Sequence, residues 1–98
     1  MIFCESYKVF IERKAQKFLE GLSATECKKL VAKIELLTSS KSQLLDIKKL
    51  KGYKNLYRIK VDDYRIIFVL VPDKKIIIIP VIGHRKEIYD IAKRLSYR

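Results

Sequence analysis

Four cations and a tyrosine in the second half of this chain stand where paired strands would bring them together. They are Arg58, Lys60, Arg65, Arg85 and Tyr89, with His84 close by. In the segment LYRIKV, Tyr57, Ile59 and Val61 alternate with Arg58 and Lys60, so one strand face is apolar and the other basic. Asp62-Asp63 then serves as a two-residue turn into YRIIFVLV. With that turn Val61 faces Tyr64, and Lys60 faces Arg65 on the basic side. Two cations directly across a strand pair destabilise a sheet. A local rule broken without visible compensation points to a function that supplies the missing anion, and phosphate is the anion that fits.

The chemistry open to such a set is cleavage of an RNA phosphodiester by its own 2′-OH. That reaction needs a proton acceptor for the hydroxyl, cations for the extra charge on the phosphorane, and a donor for the leaving 5′-oxygen. Arg grips phosphate through its planar fork, and Lys can lose its proton when neighbouring cations depress its pKa. Tyr stacks on unpaired bases. His84 adds a group that can exchange protons near neutral pH.

The elements that must position these residues are legible in outline. Residues Ile2 to Val9 read as a weak strand. Ile11, Ala15, Phe18, Leu19 and Leu22 recur at helical spacing, and Gly21-Leu22-Ser23 ends that helix. Ser23-Ala24-Thr25-Glu26 is a capping box for a second helix, with Cys27, Leu30, Val31, Ile34 and Leu37 on one stripe. The short break predicts a helical hairpin lying on one face of a sheet. Thr38 to Gly52 reads as a polar connection. Strands are expected near Asn55–Val61, Tyr64–Val71 and Lys75–Ile82, and a short helix over Glu87 to Leu95 with Ile88, Ile91, Ala92 and Leu95 buried. Pro80 lacks an N–H, so its strand is an edge there or its nitrogen points out of the ladder. The face bearing Tyr57, Ile59, Val61, Tyr64, Ile66 and Phe68 is expected against the helices. Arg58, Lys60, Arg65, Arg85 and Tyr89 then share the other, concave face.

Composition bounds the partners. At 98 residues, 49% of them hydrophobic, the chain reads as one small domain over 1–98 with a core of its own. Lys plus Arg number 22 against 11 Asp plus Glu, a net charge of +11. Nucleic acid is the leading partner class; an anionic membrane, an acidic protein or a merely solvated basic surface are the alternatives. MIFCESYKVFIERK holds no unbroken apolar stretch, so no secretory leader is expected, and no apolar run is long enough to cross a bilayer. Cys4 and Cys27 read as buried or half-buried thiols. With a single His they make no metal site, and no carboxylate pair sits in the cationic site, so neither metal nor cofactor is expected.

KLKG, then NLYRIKVDDYRIIFVLV, then VIGHRKEIYD, in that order, resembles the RelE toxins of bacterial toxin–antitoxin pairs, within the RelE/ParE superfamily. The resemblance spans the chain and is densest from Leu50 to Asp90. It implies an α+β, microbial-RNase-like fold with two helices packed on an antiparallel sheet. It also implies cytoplasmic, metal-independent cleavage of mRNA in the ribosomal A site and neutralisation by a cognate antitoxin. By position, Arg58 and Lys60 match two catalytic lysines of the family, Arg65 and Arg85 its arginines, and Tyr89 its C-terminal tyrosine. Arg stands at 58 where Lys is usual, which assigns it to phosphate binding rather than to base chemistry. On this reading Lys60 is the general base or its electrostatic helper. Arg58 and Arg65 hold the phosphate, Arg85 stabilises the transition state, and Tyr89 orients the substrate. Lys48, Lys49 and Lys51 form an RNA-facing patch. Two rivals stand beside it: a ParE-like gyrase inhibitor without nuclease activity, and an inactive RNA-binding module. For Arg65, Arg85 and Lys60 the plainer alternative is an ion pair with Asp62, Asp63 or Glu87.

Overall fold

The alternation in the central segments produces two paired strands, β3 (Leu56–Val61) and β4 (Tyr64–Val71), joined by the Asp62-Asp63 turn. The computed structural model describes residues 6–93, with backbone alone at 89 and 91–93. The other strands and α-helices are β1 (Lys8–Ile11), α1 (Arg13–Glu20), α2 (Ala24–Leu36), β2 (Asp46–Lys49), β5 (Ile76–His84) and α3 (Arg85–Lys93). The sheet order is β1-β5-β4-β3-β2, antiparallel throughout except that β1 joins β5 in parallel.

The helical hairpin forms, but α1 is shorter than its apolar stripe: Ile11 ends β1, and Leu22 lies beyond the Gly21 cap. Ser23 caps α2, its hydroxyl accepting from the Glu26 N–H at 3.2 Å. Glu26 turns to Lys29, 3.7 Å away, rather than back to Ser23. Ala15 and Leu19 of α1, Leu30 and Ile34 of α2 and Leu37 at its C-cap are buried with Tyr57, Ile59, Val61, Ile66, Phe68, Ile77, Ile79 and Ile82 of the sheet. Tyr57 and Phe68, partners across β3 and β4, stack with ring centroids 5.2 Å apart beneath the helices. Cys27 is half-buried against this cluster as a free thiol. Cys4, the start of the expected first strand, and the side chains of Ile91, Ala92 and Leu95 lie outside the described residues.

Two further expectations change. The connection from Thr38 to Gly52 is not wholly irregular: residues 46–49 form the edge strand β2. The sequence DIKK has one apolar residue, because an edge strand needs only Ile47 on the core face, so no alternation announces it. The second change concerns the other sheet face. It is apolar at one end, where Leu56, Ile67, Val69 and Val81 are buried with Ile88 of α3. Helix α3 starts at Arg85, two residues earlier than its pattern indicates, and closes over this face.

Pro80 is accommodated inside the sheet. Pairing of β1 with β5 stops at Ile79, so no ladder bond is asked of the proline nitrogen. Opposite Phe68 the register slips by one residue: Ile67 pairs with Val81, whereas Val69 pairs with Ile78. This bulge exchanges the faces of every later β5 side chain. Gly83 consequently lies beside Arg65 on the face that α3 covers. A Cβ there would stand 3.2 Å from Ile88 Cδ1, so glycine lets the helix approach closely. Ile88 is fully buried and is the anchor of α3 on the sheet. Ile88→Ala is expected to cost about 2–5 kcal/mol, a fall of at least about 8 °C in melting temperature. A thermal melt with a loss of only a degree or two would show that α3 is not docked through this residue.

Candidate functional site

The register expected from the turn is the one formed: Lys60 pairs with Arg65, and Val61 with Tyr64. Arg58 lies two residues from Lys60 on the same face, and Lys48 is the neighbour of Arg58 on β2. Gly83 is the neighbour of Arg65 on β5, and the chain then turns directly into Arg85 at the start of α3. The cations are thus collected at the end of the sheet that the second apolar cluster leaves uncovered.

Each cation is held differently. Arg65 is buried, only 8% exposed. Its Nη1 donates to the carbonyls of Asp62 and Tyr64, both at 2.8 Å, so the guanidinium is clamped against the turn that precedes it. Arginine keeps its charge at any accessible pH, and a buried charge is tolerated only when it is well solvated by the protein. Two carbonyl dipoles supply part of that solvation. The buried Nε is without a partner among the described residues. This is neither the open phosphate fork nor the surface ion pair that the sequence offered as readings.

Lys60 stands opposite, exposed, with no ion pair or hydrogen bond among the described residues. The carboxylate nearest in register, Asp46 on β2, is already engaged. It pairs with Arg58, whose Nη1 lies 3.1 Å from Asp46 Oδ1 and 3.0 Å from the Asp46 carbonyl. The Arg58 side chain is largely covered and is fixed along the β2 edge, leaving its Nε and Nη2 unused by these bonds. Arg85 is the loosest of the set. Its backbone N–H donates to Asp63 O at 2.8 Å, while its exposed guanidinium Nε lies 3.7 Å from Asp63 Oδ1. Exposed pairs of that length contribute little, so the Arg85 side chain is free to change partner.

The turn that joins these residues is itself anchored. Asp62 adopts a left-handed conformation, φ +53°, which Asp tolerates better than most residues. Its Oδ2 accepts from Lys29 Nζ of α2 at 2.8 Å. That hydrogen bond, then the Lys29 charge, hold the Asp62 carboxyl below its ordinary 3.8; the same bond and the Asp62 charge raise Lys29 above 10.5. The contact is intact between those two ordinary values, lost at the acid end as Asp62 protonates below its depressed value, and at the alkaline end as Lys29 deprotonates above its raised one.

Three of the expected site residues are not where the sequence put them. His84 pairs with Tyr64 and packs its ring 5.1 Å from Tyr64 and 5.9 Å from Phe18 of α1, centroid to centroid. It therefore faces the helices, away from Lys60 and Arg65. The Pro80 bulge is the cause, since unbroken alternation would have turned His84 to the cationic side. Lys48 and Lys49, adjacent in a strand, point to opposite faces. Lys49 lines a helix-side recess of about 190 Å³ with Ser42, Leu45, Ile47 and Tyr57. Only Lys48 joins the Arg58 row, while Lys51 lies in the exposed turn that leads through Gly52. Tyr89 falls in α3, and its side chain lies outside the described residues. The residue that sequence reasoning missed is Asp46, hidden because β2 was not recognised.

A basic α+β fold with its cations gathered at one sheet end is the class that geometry defines. Comparison with known proteins makes it specific. The family model for the ParE toxin of type II toxin–antitoxin systems matches residues 9–89. Toxin RelE3 of Methanocaldococcus jannaschii is 39% identical over 83 residues, 85% of this chain and 90% of that protein. The RelB–RelE antitoxin–toxin complex from Methanococcus jannaschii contains a chain that superposes with a TM-score of 0.68 at 36% identity, over 84% of this chain and 96% of that one. The archaeal RelE–RelB complex from Pyrococcus horikoshii gives a TM-score of 0.70 at 26% identity, over 82% and 96%. This chain belongs to the RelE toxin family, within the RelE/ParE superfamily of type II toxin–antitoxin systems.

The unequal burial of Lys60 and Arg65 generates a test. Lys60→Gln removes a repulsion and no contact, so stability is expected to hold or rise slightly. Arg65→Gln forfeits two charge-assisted bonds and is expected to lose about 1.5–3 kcal/mol. Chemical denaturation of both variants beside the parent checks this; a greater loss from Lys60→Gln would show that the exposed cation is the structural one.

Proposed function

We propose that this toxin cleaves mRNA on the ribosome, by attack of a ribose 2′-OH on the adjacent phosphodiester, and that a cognate antitoxin neutralises it. The observation that carries the reading is the Lys60–Arg65 pair: two cations in register on one sheet face, one buried and partly unsolvated, with no carboxylate between them. A phosphodiester supplies the anion that this arrangement lacks. Arg65 provides a fixed positive floor, and Arg58, oriented by Asp46, presents its unused donors beside it. Lys60, exposed on the face it shares with Arg58 and Arg65 and opposite an Asp46 already engaged by Arg58, is the group placed to take the 2′-OH proton or to support its loss. Arg85 exchanges Asp63 for the charge that develops on the phosphorane. Tyr89 orients the substrate; Lys48 and Lys51 extend the positive field, which favours docking on ribosomal RNA. The reaction needs no metal on this account, and the site of action is the cytoplasm, where ribosomes work. The solved RelE–RelB and RelB–RelE complexes are the precedent for an antitoxin partner.

A gyrase-directed poison is the second reading, kept because the matching family model is that of ParE. The cation pair favours the first, since a protein-binding face gains nothing from an unneutralised buried guanidinium. Incubation with mRNA, with and without programmed ribosomes, separates the two. Cleavage only with ribosomes is expected, and Arg85→Ala should lower its rate by about two to three orders of magnitude without unfolding the protein. Ribosome binding should fall steeply with salt. Intact mRNA under all conditions, together with inhibition of DNA supercoiling by gyrase, would overturn the reading.

A further inference from the structure

The Asp62-Asp63 turn does more than reverse the chain. The Asp62 carbonyl, which accepts from Arg65 at 2.8 Å, belongs to the central peptide of that turn. Two-residue hairpin turns of the primed types interconvert by rotation of this peptide, which swings its carbonyl to the opposite side. Such a rotation would take one of the two acceptors from the buried guanidinium. Both ends of the peptide are held from outside the hairpin. On one side Lys29 of α2, 33 residues away in sequence, binds the Asp62 carboxylate at 2.8 Å. On the other, the Arg85 N–H binds the Asp63 carbonyl at 2.8 Å.

We infer that Lys29 is a positioning residue for the cationic site: through Asp62 it fixes the turn peptide whose carbonyl aims the Arg65 guanidinium. Lys29 lies on a helix of the opposite face and touches none of the proposed reacting groups. Its pair with Asp62 is exposed at both partners, 40% and 66%. Exposed pairs add little to global stability, so this contact acts on the local choice between two turn geometries. The scale of that action is set by the upper value for such pairs. It amounts to about fivefold in the population of the held turn.

The inference rests on the proposed cleavage for its kinetic consequence, and its structural consequence can be read without it. Lys29→Met is expected to lower the single-turnover cleavage rate at saturating ribosomes by about two- to fivefold, with KM and melting temperature unchanged. Lys29→Arg should restore the rate. Asp62→Asn keeps a residue that tolerates the left-handed conformation, and should cost the same as Lys29→Met. The double variant should be no worse than either, because both remove one tether. In parallel, the Nε–H signal of Arg65 is followed by ¹⁵N NMR and assigned by its loss in Arg65→Lys. It should exchange with solvent faster in Lys29→Met than in the parent. A rise in KM alone would make Lys29 an RNA-docking cation and overturn the inference. So would a rate loss that tracks a lowered melting temperature, or parent-like rate and Arg65 signal. If the parent itself cleaves nothing, the functional reading fails, and the Arg65 signal alone decides: faster exchange upholds the positioning role and unchanged exchange refutes it.

Discussion

A permanent charge under a sheet surface is the constraint around which this molecule is arranged. An arginine side chain is a permanent cation, and at 8% exposure Arg65 cannot rely on water. It must be solvated by the protein, and the nearest groups able to do so are carbonyls of its own hairpin turn. The turn must therefore hold one geometry, which explains why it is tied to α2 on one side and to the start of α3 on the other. A second cation, Lys60, remains opposite for a separate reason. The hydrophobic packing on both faces of the hairpin fixes the register, and the repulsion is too small to change it.

The two apolar clusters divide the labour. The larger one, between the helices and the sheet, supplies stability and sets which strand residues face inward. The smaller one docks α3 over β4 and β5 and stops short of the cationic end. Docking α3 brings Arg85 to the turn, and Gly83 is the residue that allows the approach. Carboxylates are placed at the rim. Asp46 orients Arg58 and leaves its other donors unused, and Asp63 receives Arg85 in a loose pair that a phosphate can replace.

The sequence made the hairpin legible to the residue. Alternation in LYRIKV and YRIIFVLV, with a two-residue turn, fixed which side chains face each other, and the Lys60–Arg65 pair followed. The helical hairpin was equally plain from its stripes and its Ser23 cap. What escaped has physical causes. Strand β2 is an edge strand with one face in solvent, so Ile47 alone carries its signal, and Asp46 was lost with it. His84 was misplaced because a single extra residue at the Pro80 bulge reverses the face of all that follows, and a hydrophobic run such as IIIIPVIG hides its own parity. Lys48 and Lys49 look like one patch along the chain, and only the strand sends them to opposite faces. The burial of Arg65 was not legible at all: it depends on α3 and the turn closing around a position that looks, in sequence, like any other strand cation.

The central claim is that the Lys60–Arg65 face is organised around an anion it does not itself contain. The direct measurement is the melting temperature in sulfate against chloride at matched ionic strength, for the parent and for Lys60→Gln. At tenfold its Kd, bound sulfate should raise the parent by about 5–10 °C, and the variant by clearly less. Equal shifts in the two proteins would mean that sulfate acts only through the solvent, and that the opposed cations do not form a phosphate site.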